Sequence, residues 1–226
     1  MNIENMLDFF LRLKENNHRE WFQAHKKGYD AIKSELNDFT KELIVSIRQF
    51  DPTVGMLEPK DCIFRINRDI RFSNDKSPYK THTGIFVARG GKKSPFGGYY
   101  LHLEPGASFA GGGVYAPMPE TLKALRMEIF HNYSEFVSIL ENKDFVKVYG
   151  GLSDMGKTTR VPQGFPPDFP GADVLKHKHF VAGHNMSDSD LLQPGLSDKI
   201  IHAFRTLHPL VVFLNRGVED IAGGRS

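Results

Sequence analysis

A chain of 226 residues that is 40% hydrophobic and 12% aromatic has ample material for a buried core, which argues against disorder and for a single domain. Its only cysteine, Cys62, rules out an intramolecular disulfide and a cysteine-based zinc cluster, and no stretch reaches the roughly 20 apolar residues of a membrane span. A net charge of +2 does not demand nucleic acid as a partner, and the absence of a basic N-terminal region followed by an apolar run makes the cytoplasm the expected setting, with no membrane contact.

The spacing of Ile3, Met6, Leu7, Phe10, Leu11 and Leu13 predicts a helix over residues 3–14 that closes at Asn16-Asn17. Asn17-His-Arg-Glu20 has the form of a capping box, so Asn17 is expected to open a second helix. Its apolar stripe runs from Phe22 through Leu36 and Leu43 to Ile47, and Asp51-Pro52 stops it near Gln49. From Asp61 the period shortens to two, predicting a strand over residues 62–72 in which Arg68 falls on the apolar side. That misfit calls for a bulge or an inward guanidinium with a partner.

Residues 73–78 are dense in turn formers, and 83–88, 99–103 and 108–115 read as further strands of an antiparallel meander around a glycine- and lysine-rich loop at 90–98. Helices are expected over 117–130 and from Ser134 to Leu140. The glycine- and proline-rich stretch 148–169 reads as irregular chain around short strands near Ser153 and Thr159. A strand over 177–184, a helix start at Ser187 and a helix over 197–215 complete an α+β domain, with N-terminal helices packed on a largely antiparallel sheet and more helices late in the chain.

The basic stretch is the feature that bears on function. Between Lys60 and Lys93 nine Lys or Arg face three Asp, a local charge of +6 that leaves −4 for the rest of the chain. Arg65, Arg68 and Arg71 can hold a phosphate or carboxylate through paired hydrogen bonds, Lys76 and Lys80 can close over it, and Tyr79 can shape the pocket. The bland alternative is a solvated strand whose cations pair with Asp69, Asp75 and other carboxylates.

Asp69, Asp75 and His82 are the nearby candidates for acid–base work, although Asp69 equally suits the orientation of arginines and Asp75 the capping of a turn. The leading expectation is therefore a binding site for a phosphate-bearing small molecule. A phosphate-ester hydrolase, and a non-catalytic docking module for nucleic acid or an acidic protein, remain as alternatives.

Asn16-Asn17-His-Arg-Glu-Trp21-Phe22, Phe64-Arg-Ile-Asn-Arg-Asp-Ile-Arg-Phe72, Asp75-Lys76-Ser-Pro78-Tyr79-Lys80, Gly97-Gly98-Tyr-Tyr-Leu101 and Gly111-Gly-Gly-Val-Tyr115 occur in one order along the chain. In this combination the sequence resembles the family called domain of unknown function 2461, over nearly its whole length. The resemblance implies a stand-alone single-domain protein of bacterial type and carries no activity with it.

Other motifs read as structural. Gly111-Gly112-Gly113 lacks the P-loop pattern and is better explained by close backbone approach or a bulge than by a ligand. His177-x-His179 with His184 lacks the rest of a ligand frame, so solvent-facing histidines are expected there, with no metal and no cofactor. His25 and Trp21 fit packing roles, and Cys62 has no activating neighbour in the sequence.

Overall fold

Asn2 opens the first helix of the computed structural model, which describes residues 1–222, by accepting from the Asn5 amide at 3.0 Å. The elements run α1 (Ile3–Glu15), α2 (Arg19–Ala24), α3 (Lys26–Arg48), α4 (Pro59–Cys62), β1 (Thr83–Ala88), β2 (Gly98–Leu103), β3 (Ser108–Val114), α5 (Pro119–His131), α6 (Tyr133–Leu140), α7 (Lys143–Tyr149), β4 (Phe180–Met186), α8 (Asp188–Leu191) and α9 (Leu196–Ala222). The strands form one antiparallel sheet in the order β1-β2-β3-β4, so the class is α+β. Among the described residues no helix is long and apolar enough to cross a membrane. The chain divides into two compact units, one built from Met1–Lys93, Tyr100–Ala110 and Asn185–Ile201, the other from Ser94–Tyr99, Gly111–His184 and the described residues from His202 onward.

In the first unit α1 and α3 pack their apolar stripes together, burying Met6, Phe10 and Leu13 from one and Leu36, Leu43 and Ile47 from the other. The expected single second helix is in fact two. His25 leaves the helical region at φ −104° and ψ 9°, its ring stacks on Trp21 at 4.0 Å, and its Nδ1 meets the Trp21 carbonyl at 2.8 Å, sharing that acceptor with the His25 amide at 3.1 Å. The cap also differs from expectation. His18, not Asn17, accepts from the Trp21 amide.

Asn17 is used across the unit instead. Its side-chain Nδ2 donates to the Tyr79 carbonyl at 2.9 Å, and its Oδ1 accepts from the Tyr79 amide at 3.1 Å. The amide thus mimics one rung of a strand pair across 62 residues of sequence. The Tyr79 ring stacks on Phe22 at 4.0 Å, which anchors the basic turn to α2.

The strand expected over 62–72 does not form. Its start is the short helix α4, and beyond it only two isolated bridges, Ile63 to Ile85 and Asn67 to Tyr79, join the two arms. Between those bridges the first arm advances four residues and the second six, so the excess chain lies between Lys80, whose amide still donates to the Ile66 carbonyl at 2.8 Å, and Thr83, where β1 begins. A two-residue mismatch breaks the regular register, which is why alternating hydrophobicity here yields extended chain without a strand.

In the second unit the triple glycine lies where β3 meets its neighbours. A Cβ on Gly111 would come within 2.2 Å of the Ala182 carbonyl, and one on Gly113 within 2.2 Å of the Phe180 carbonyl. Close backbone approach, the structural reading, accounts for all three glycines. The loop before β2 is pinned by a second amide clamp, in which Asn215 Oδ1 accepts from the Gly97 amide at 2.8 Å and Asn215 Nδ2 donates to its carbonyl at 3.2 Å.

No strands form near Ser153 or Thr159; that stretch holds an isolated Lys157–His177 bridge and a bond from the Ser153 amide to the Val181 carbonyl at 2.8 Å. The unpredicted α7 is delimited by the Asn142 side chain, which caps its start, and by left-handed Gly150 at its end.

His177 is buried, contrary to the expected solvent-facing position, and Arg126 Nη2 donates to its carbonyl at 3.0 Å. Burial first, and then the charge of Lys157, depresses its pKa, against an opposing pull from Asp154 and Asp173. A depressed histidine contributes stability above its unfolded pKa of about 6.5 and loses it as the pH falls through the folded value. The urea midpoint should therefore fall between about pH 7 and pH 5. In His177→Gln, which cannot titrate, that fall should be smaller; an equal fall would assign it elsewhere.

Candidate functional site

The turn that carries the basic cluster uses most of its charge on itself. Arg68 pairs with Asp75 Oδ2, while Asp75 Oδ1 accepts from the Ser77 amide at 2.9 Å and from its hydroxyl at 2.6 Å. The Asp75 carboxyl consequently lies well below the usual range, held there by Arg68 first and Ser77 next. Arg71 grips Asp69 in a fork, Nε to Oδ1 at 3.0 Å and Nη2 to Oδ2 at 2.7 Å, which lowers the Asp69 pKa and raises that of Arg71. Lys76 Nζ donates to the Ile70 carbonyl at 3.0 Å. Arg68, Arg71 and Lys76 are therefore satisfied within the turn, and Asp69 and Asp75 are occupied as their partners or as a cap.

Tyr79 is 6% exposed and packed on Phe22, so it supports the turn from beneath and does not line an open pocket. Two cations remain. Arg65 is exposed and makes no ion pair or hydrogen bond with any described residue. Lys80, on the other arm, is half-buried with Nζ 5.6 Å from the centre of the Phe64 ring, and no acidic partner reaches it among the described residues. Burial, and then the positive charge of Arg65, lowers the Lys80 pKa.

His82 follows on the bulged arm and meets a second group of side chains. Because successive strand residues alternate faces, Tyr100, His102 and Glu104 project together from β2 and its exit, opposite the buried Leu101 and Leu103. His102 Nε2 lies 2.9 Å from Glu104 Oε2, and its Nδ1 lies 3.0 Å from the Tyr100 hydroxyl. The His102 ring stacks on Phe109 at 5.1 Å and lies 4.5 Å from the His82 ring.

Gly84 makes the arrangement possible, since a Cβ there would sit 2.6 Å from the Tyr100 hydroxyl. Glu104 is fixed by the tight β2–β3 connection, its backbone exchanging bonds with Ser108 Oγ at 2.9 and 2.8 Å. The apolar cleft beside His82, lined by Phe10, Tyr29, Ile32, Leu36, Phe64 and Ile66, has room for about one water and does not seat a ligand.

The histidines singled out in the sequence do not gather. His179 Nδ1 accepts from the Ala116 amide at 2.8 Å, and His184 Nδ1 donates to the Val148 carbonyl at 3.0 Å. Cys62 is buried at the end of α4 and its thiol is pushed up to about 11, by burial first and by Asp61 next, so it is protonated and inert at neutral pH. The residues that sequence reading passed over are His102 and Glu104. Their signal was present as polar residues at every second position of a predicted strand, flanked by buried leucines.

The family model described as Conserved hypothetical protein (DUF2461) matches residues 5–213, and the chain belongs to that family. No curated protein and no solved structure matches it.

Proposed function

We propose that this DUF2461 member binds a phosphate-bearing small molecule at the two arms of the basic turn, with Arg65 and Lys80 as its cationic contacts. The supporting observation is that these two cations bear on each other and neither forms an ion pair among the described residues, the Asp69 charge that Arg65 feels being gripped by Arg71, whereas Arg68 and Arg71 are paired with aspartates and Lys76 is bonded to a carbonyl inside the turn. Like charges left together raise the energy of the free protein, and an anion between them relieves the repulsion and gains charge-assisted hydrogen bonds. Arg68 and Arg71 then act as struts that hold the turn, and Lys80 is aimed by the Phe64 ring beneath it.

A thermal-shift series with inorganic phosphate, pyrophosphate, nucleotides and sugar phosphates tests this reading, because a ligand at 100 times its Kd stabilises the native state by about 2.7 kcal/mol. At least one anion should raise Tm in the unaltered chain, and the Arg65→Ala/Lys80→Ala double variant should lose the response. Arg48→Ala, an exposed cation of α3 outside the turn, should retain it. If no anion shifts Tm, or the double variant responds as well as the parent, the proposal fails. Binding to mixed-sequence DNA whose affinity falls steeply with salt would point to the docking alternative instead.

A further inference from the structure

We propose that His82, His102 and Glu104 form a binding site for a divalent transition-metal ion, zinc being the best fit. The site uses neither Arg65 nor Lys80, so it stands or falls separately from the anion reading.

Each of the three residues offers one donor atom, and these atoms all lie within 4.8 Å of one another. In a tetrahedral site with ligands about 2.0–2.1 Å from zinc, donors stand roughly 3.3 Å apart, so the 2.9 Å between His102 Nε2 and Glu104 Oε2 needs only a small opening to admit the ion. His82 makes no hydrogen bond with any described residue and faces His102 across 4.5 Å between ring centres, so a modest turn of its ring brings a nitrogen lone pair to the same point. Two imidazoles and one carboxylate make a mixed nitrogen–oxygen set that suits zinc and its first-row neighbours better than calcium or magnesium, which prefer all-oxygen ligands.

The surroundings are built to hold this geometry. Phe109 stacks on the His102 ring, Thr81 Oγ1 lies 3.5 Å from the second Glu104 oxygen, and the Tyr100 hydroxyl holds the outer nitrogen of His102. In the neutral metal-free ring, Nε2 carries the proton and donates to the Glu104 carboxylate, while Nδ1 accepts from the Tyr100 hydroxyl. Metal binding transfers that proton through solvent from Nε2 to Nδ1, where the Tyr100 oxygen accepts it, and frees the Nε2 lone pair for the ion. No net proton is released. Three protein donors leave a fourth position for water, the pattern of an open zinc site.

Isothermal titration of the chelator-stripped full chain with Zn2+ should show one equivalent bound. His82→Asn, His102→Asn and Glu104→Gln should each weaken it at least about 10- to 100-fold, and a His179→Asn control should not. Tyr100→Phe removes one hydroxyl, leaves the packing in place, and should weaken zinc about 10-fold by releasing the ring. In the unaltered chain Co2+ should give the visible absorption of a low-coordinate site with nitrogen donors, a readout that needs no variant. Absence of stoichiometric Zn2+ binding, a Co2+ spectrum like that of the free ion, or an affinity unchanged in His102→Asn would each overturn the assignment.

Discussion

Gly112→Ala should yield no soluble folded protein. The new methyl would lie 2.0 Å from the Gly98 carbonyl oxygen and 2.9 Å from Leu207 Cδ2, at a residue whose φ is +155°. A flexible side chain could step aside from such a contact, but a carbonyl in the adjoining β2 cannot move without breaking the pairing of β2 with β3. Losses above about 4 kcal/mol are exceptional for one substitution, and against a typical total of about 5–15 kcal/mol this one leaves little folded population.

Gly150→Ala is the control, since Gly150 also has positive φ, +71°, but nothing lies within 4 Å of its added Cβ. It should cost only about 1–2 kcal/mol of backbone strain. Soluble yield and urea unfolding of the two variants distinguish the cases. Equal behaviour would mean that conformational freedom, not close approach, explains the triple glycine.

Asn17→Ala should destabilise the protein by about 2–4 kcal/mol, the largest effect expected of any polar side chain that joins α2 to the basic turn. Both hydrogen bonds go to the backbone of Tyr79, and each orphaned group costs about 1–3 kcal/mol when water cannot replace the lost partner. Asn17→Asp keeps an acceptor for the Tyr79 amide and loses the donor to its carbonyl, so it should recover part of the loss. Equilibrium unfolding in urea gives both values. Because Lys80 directly follows the clamped residue, Asn17→Ala should also diminish any Tm rise produced by anions. A loss below about 0.5 kcal/mol would show that the stacking of Tyr79 on Phe22 holds the turn without the amide.

Alternating and helical periods placed α1, α5, α6 and the strands β1 to β3 within a few residues, because burying one face is a local property that spacing records. The continuous apolar stripe of α2 and α3 concealed the break at His25, where the ring folds back on Trp21 and bonds its carbonyl, a contact that spacing does not record. The stretch 62–72 alternated like a strand and still failed to become one, since regular pairing also needs equal advance along both arms, and the partner arm carries two residues too many. The cations of the basic turn were recognised as a group. Which of them had partners was not, because Arg68 and Arg71 are satisfied by aspartates only seven and two residues away, and sequence proximity does not reveal side-chain direction.

Composition and periodicity alone decided the α+β class, the missing disulfide and the concentration of positive charge near residue 70, since each depends on residue type or spacing along one segment. Three-dimensional packing decided which charges remain unpaired, why three consecutive glycines are required, and that His82 meets His102 and Glu104. The last of these joins an irregular arm to a strand 20 residues further on. Contacts of that kind arise only when the chain closes on itself, because their energy depends on distances that no local pattern encodes.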